Sequence, residues 1–140
     1  MLDLTLRPAT TDDQAFALHL TEVCMRAHAE QTWGSWNGHA DLDIGIDQII
    51  QRSGVEIGMI GVERRPDHWF MHKLYLLPEN QNQGIGSTMI ERLQSEARTA
   101  SAEVRLTVLE VNPARRFYER HGFTLAETIP PRRHMRWSAR

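Results

Sequence analysis

The chain changes its period across Leu74-Tyr75-Leu76-Leu77-Pro78-Glu79-Asn80-Gln81-Asn82-Gln83-Gly84-Ile85-Gly86-Ser87. Before Pro78 lies the run from Trp69 to Leu77, of a length and composition suited to a strand. After it, Ile85, Met89, Leu93 and Ala97 recur every four residues with Ile90 on the same side, while Glu91, Arg92, Glu96 and Arg98 fall outside. That spacing predicts an amphipathic helix. Residues 81–87 therefore link a strand to a helix start, where the first four N–H groups have no acceptor inside the helix. A helix start carries about half a positive charge, so a diphosphate suits those donors. Gly84 and Gly86 place no β-carbon between phosphate oxygens and the backbone, and glycine accepts the positive φ such loops use. An ordinary tight turn has the same two glycines, so the spacing alone leaves both readings open.

Two other phosphate loops do not fit. A dinucleotide fingerprint needs a third glycine where Met89 stands. A P-loop needs Gly-Lys-Ser/Thr, and Lys73 is the one lysine of the chain.

Downstream, Val104, Leu106 and Val108 alternate as a strand. Asn112-Pro113 then offers a side-chain cap and a preset first helical residue for a helix running to His121, with Gly122 placed to stop it. Closing strands are expected at 124–128 and 134–138. Upstream, Leu2, Leu4 and Leu6 alternate with Asp3, Thr5 and Arg7 as a first strand ended by Pro8. Thr10 or Thr11 can cap a helix continuing to about Ala29. Residues 32–39, with Trp33, Gly34, Trp36 and Gly38, read as a loop. An acidic segment, Asp41, Asp43 and Asp47, precedes an antiparallel meander of three strands over 48–51, 55–62 and 69–77. This order predicts a mixed α/β (α+β) fold with a largely antiparallel central sheet of about six to seven strands and about four helices.

With 140 residues and 41% hydrophobic content, one packed core and a single domain over 1–140 are expected. No run approaches the roughly 18 apolar residues a membrane helix requires, and residues 1–10 lack a leader pattern. A soluble, cytoplasmic protein follows as the expectation, with Cys24, the single cysteine, as an inert core thiol. A net charge of -2 argues against nucleic acid or an anionic membrane as a partner. The basic residues Arg132, Arg133, Arg136 and Arg140 read as solvated surface. No metal site is expected.

The run Leu74 to Glu79 followed by Gln81-x-x-Gly84-x-Gly86 resembles the central signature of the GNAT superfamily of acetyl-CoA-dependent N-acetyltransferases. Asn112-Pro113-Ala114-Arg115-Arg116-Phe117-Tyr118-Glu119-Arg120-His121-Gly122-Phe123 is similar to the next helix of that family. Two motifs in this order, separated by one helix and one strand, are far more specific than either alone. The resemblance covers about Gly54 to Phe123 and is weakest over 31–50.

It implies acetyl-CoA as cosubstrate and the amine of a small molecule or a protein as acceptor, with homodimers common among relatives. Main-chain groups of Leu74 and Leu76 would pair with the pantetheine arm, while Gln81, Asn82, Gln83, Gly84, Ile85, Gly86 and Ser87 would hold the pyrophosphate. Asn112 would add a cofactor contact to its capping role. Tyr118 matches the family's general acid; a buried core tyrosine is the competing reading.

The proton acceptor is less well marked. Many relatives carry a glutamate where Phe70 and Thr107 stand here. His72, two residues past Phe70 and on the same strand face, can accept a proton directly or through water, or can simply pack there. Glu110 and His68 are weaker candidates, and many relatives use a water chain instead. The resemblance puts the acceptor pocket at the segment after the first helix and the last strands, so Trp33, Trp36 and Trp137, with Asp41 and Asp43, either receive a cationic amine or serve as core or lid. Because the glutamate is missing, a catalytically weak acyl-CoA-binding regulatory module is the alternative to an enzyme.

Overall fold

The computed structural model describes residues 3–39 and 41–139. Leu2 and Arg140, both used in the sequence reading, lie outside the described residues. The strands are β1 (Leu4–Pro8), β2 (Asp47–Arg52), β3 (Val55–Arg64), β4 (Trp69–Leu76), β5 (Val104–Leu109), β6 (Thr124–Ile129) and β7 (Arg132–Trp137). The helices are α1 (Gln14–Trp33), α2 (Ile85–Ala100) and α3 (Ala114–Arg120). Strand order is β1-β2-β3-β4-β5-β7-β6. The β4/β5 pair is parallel, whereas β1/β2, β2/β3, β5/β7 and β6/β7 are antiparallel. The seven strands match the expected α/β class. Among the described residues there are three α-helices, against about four expected, with two short 3-10 turns at Thr11–Asp13 and Pro78–Asn80.

The contacts divide the chain into two compact units, one of residues up to Val62 with Lys73–Gly86, the other of Glu63–His72 with residues from Ser87 onward. Strands β3 and β4 pass through both.

In the first unit, Thr10 and Asp13 form a capping box: the Thr10 N–H donates to Asp13 Oδ2 at 2.8 Å, and the Thr10 side chain accepts in return. Arg7 closes on the same carboxylate through two bonds of 2.8 and 2.9 Å. α1 outruns the expected end at Ala29 because no breaker intervenes before Gly34, which adopts φ +79° and donates its N–H to Glu30. Trp33 is therefore the last helical residue rather than part of a loop. Ala9, Ala17, Leu20, Ile49 and Met59 form the core of this unit, with Phe16, Cys24 and Tyr75 packed on it. Gly58 allows β3 to lie close to β4, since a β-carbon there would collide with the Tyr75 carbonyl.

In the second unit, the inward face of α2 is Met89, Ile90, Leu93 and Ala97, all buried as the four-residue spacing predicts. Asn112 Oδ1 accepts the Ala114 N–H at 2.9 Å and so caps α3. Gly122, at φ +87°, ends that helix against the Trp137 ring. Val104, Leu106 and Val108 of β5 and Met135 and Trp137 of β7 are buried, whereas Arg105, Arg136 and their neighbours at period two take the opposite face.

Candidate active site

The parallel ladder between β4 and β5 has three residue pairs, Trp69/Val104, Phe70/Arg105 and Met71/Leu106, although β4 continues to Leu76 and β5 to Leu109. Leu74 and Leu76 thus lie on the part of β4 beyond that ladder. The carbonyl of Leu76 accepts two bonds, from Gln81 Nε2 at 3.0 Å and Cys24 Sγ at 3.2 Å. Burial pushes the Cys24 thiol up to about 11, consistent with an unreactive cysteine.

From Leu76 the chain makes the 3-10 turn at Pro78–Asn80 and runs through the glycine loop into α2. Asn82 and Gly84 both have positive φ, +61° and +82°. A β-carbon on Gly84 would meet nothing within 4 Å, so that side of the loop opens onto space. Ile85, Gly86 and Ser87 form the first turn of α2, where N–H groups precede any intrahelical acceptor. Gln83 pins the loop, its Nε2 donating to the Glu79 carbonyl and its Oε1 accepting from Arg52, each at 2.8 Å. Arg52 brings a cation to the loop that sequence reasoning missed; it sits on β2, thirty-one residues away, and only the fold juxtaposes them. Open space, main-chain donors and a guanidinium together suit a diphosphate.

Within the second unit, Ser87 Oγ lies 3.0 Å from His121 Nε2, and Gln94 Nε2 donates to the His121 carbonyl. Helix α3, whose C-terminal end His121 caps, carries Tyr118, which is buried edge-on between Phe117 and Phe123. Burial pushes its phenol above the ordinary tyrosine range, so it stays protonated near neutrality. His72 Nε2 is 2.8 Å from Glu63 Oε1. Arg65, and after it His72, hold the Glu63 carboxyl down at about 2.

Trp33 is exposed at the end of α1, and Trp36 stacks on His39 with ring centroids 6.3 Å apart. The Asp41 carboxylate lies 2.9 Å from Lys73 Nζ, and the Asp43 N–H donates to Asp47. The sequence reading also missed the pairing of Thr107 Oγ1 with His134 Nδ1 at 3.1 Å. The alternation Arg132, His134, Arg136 was the available signal for a polar sheet face there.

Residues 45–125 match the model of the acetyltransferase (GNAT) domain, more than half of the chain. The chain belongs to the GNAT acetyltransferase family. Solved GNAT-like structures share its fold. An acetyltransferase from Thermus thermophilus has 16% identity and a TM-score of 0.77, with 99% of this chain and 100% of that one covered. The PaiA N-acetyltransferase of Thermoplasma acidophilum, solved with coenzyme A, has 17% identity and a TM-score of 0.71 over 97% and 99%. Arabidopsis thaliana Naa50, solved with the bisubstrate analogue CoA-Ac-MVNAL, has 16% identity and a TM-score of 0.70 over 98% and 99%. At such identities the likeness is one of fold. No protein with a curated description matches the sequence. Among the described residues of this GNAT chain, no helix is long and apolar enough to cross a membrane, and no cluster of His, Cys, Asp and Glu is arranged to hold a metal.

Proposed function

We propose that this GNAT chain is a cytoplasmic N-acetyltransferase that takes the acetyl group of acetyl-CoA and moves it to a primary amine of a small molecule or protein. The observation that carries the reading is the loop at 81–87, with positive φ at Asn82 and Gly84, opening into the first turn of α2 beside Arg52. Asn82 to Ser87 would hold the diphosphate, and β4 at Leu74 and Leu76, beyond its ladder with β5, would hold the pantetheine amides. For pantetheine to reach the Leu76 carbonyl, the side-chain amide of Gln81 must swing aside, since it occupies that acceptor now. Asn112 caps the helix that carries Tyr118 and thereby sets that residue's position.

The cosubstrate supplies the activated acetyl group. The chain's own part is to orient the amine, remove its proton and protonate the departing sulfur. Tyr118, kept neutral by burial, serves as the proton donor. His72 serves as the proton acceptor, with the ionised Glu63 fixing its ring. Trp33 and Trp36 would receive the acceptor amine.

The test is steady-state thiol release from acetyl-CoA over a broad panel of amines. Transfer to at least one amine class is expected; acetyl-CoA binding without transfer to any would instead describe a regulatory acyl-CoA sensor.

A further inference from the structure

A cavity of about 370 Å³ lies wholly within the second unit; neither His72 nor Tyr118 lines it, although its Arg65 shares the Glu63 carboxylate with His72. Arg65, Arg105 and Arg136 line it, against Glu127 as its single lining carboxylate. The β5/β7 register places Arg105 directly opposite Arg136. Like charges so opposed weaken a sheet, and an anion lying between them would offset that cost. Arg105 is engaged through Nε alone, by Glu103 at 2.6 Å, and Arg136 has no ion pair among the described residues. Arg65 donates to Glu63 and lies 5.5 Å over the Phe70 ring. A guanidinium has five donors in a planar fork, so one carboxylate bond leaves most of them for a second anion.

One row along the same face, His134 stands opposite Thr107 on one side and Glu127 on the other. Thr107 Oγ1 holds Nδ1 at 3.1 Å, leaving Nε2 as the nitrogen available to a ligand. A second histidine, His68, lines the cavity while only 8% exposed. Its buried Nδ1 has no aligned hydrogen bond among the described residues, although Asp67 Oδ1 is 3.1 Å away.

We propose that this cavity binds the anionic group of a small molecule, a carboxylate or a phosphate, between Arg105 and Arg136, with His134 and Arg65 at its sides. The volume suits a metabolite rather than a macromolecule. The anion can belong to the acceptor amine itself or to a separate effector, and the two sources share this chemistry.

Citrate and inorganic phosphate are the probes, titrated into 15N-labelled protein with choline as a cationic control. The expected result is saturable movement of the amides of Ala126, Met135 and Arg136 with either anion and none with choline, weakened about tenfold or more by Arg136→Gln. Because that substitution also relieves the opposed charges, the variant should melt no lower than the parent and gain less from citrate. No saturation up to about 20 mM, or equal binding by the Arg105→Gln and Arg136→Gln variants and the parent, overturns the proposal. Matched amines with free and amidated carboxylates then separate the sources. A preference for the free acid that Arg136→Gln abolishes assigns the anion to the acceptor; anion binding without such a preference assigns it to an effector. The binding arm needs no acetyl transfer, so it stands or falls independently of the enzymatic reading.

Discussion

Lys73 Nζ lies 2.8 Å from Asp47 Oδ2, and both side chains are almost wholly removed from solvent. The Asp41 carbonyl and carboxylate complete the ammonium's partners at 2.9 Å each. Gly61 makes room for the pair, because a β-carbon there would strike the Asp47 carboxylate. Breaking a buried pair by removing one partner strands the other charge, at a cost of about 3–5 kcal/mol. Lys73→Met should therefore lower unfolding stability by about that amount in urea titrations. A Lys73→Met/Asp47→Leu double variant should recover part of the loss. Equal losses in the single and double variants would show that the pair itself is not the source.

The capping box at the start of the first helical region makes a pH prediction. Arg7, ahead of the Thr10 amide, holds the Asp13 carboxyl below the usual carboxylate range. A carboxyl depressed in the folded state contributes stability that is complete above its unfolded pKa, about 3.9, and that fades as pH falls through the lower folded value. Thermal midpoints should thus drop steeply below about pH 4 in the parent, and Asp13→Asn should be less stable at neutrality with a shallower acid limb. Parallel curves for parent and variant would contradict this.

Tyr118→Phe should leave acetyl-CoA affinity nearly unchanged while lowering turnover by roughly 10² to 10⁴. Since burial raises the phenol, its ionisation should produce no fall in rate below about pH 10. Pre-steady-state measurements across pH check both statements, and unchanged turnover would return Tyr118 to the core.

Gly84 tests the loop through its backbone. Its β-carbon would meet no neighbour, but φ of +82° disfavours alanine by about 1–2 kcal/mol. Gly84→Ala should weaken acetyl-CoA binding by about tenfold, and Gly84→Asn, which tolerates this region better, by less. Calorimetric titration of both variants gives the comparison, and equal effects would point to side-chain bulk instead.

Much of this fold was legible from local pattern. The period change at Pro78, the four-residue spacing of Met89, Leu93 and Ala97 and the stop at Gly122 each correspond to a local physical rule, and each element forms where that rule places it. The loop at 81–87 was legible for the same reason. What escaped the sequence was long-range pairing: Arg52 reaching Gln83, Thr107 meeting His134, Lys73 drawing in Asp41 and Asp47. These depend on strand register, and a register shift of one residue would turn each side chain to the other face. The sequence offers Asp41 to a cationic amine for that reason, although its carboxylate lies against the buried Lys73.

The most direct measurement is a cocrystal structure with acetyl-CoA. The account predicts diphosphate oxygens within hydrogen-bond distance of the main-chain N–H groups of residues 82–87, Gln81 displaced from the Leu76 carbonyl, and pantetheine amides along Leu74 and Leu76. Cosubstrate bound away from that loop, with the Gln81 to Leu76 bond intact, would contradict it.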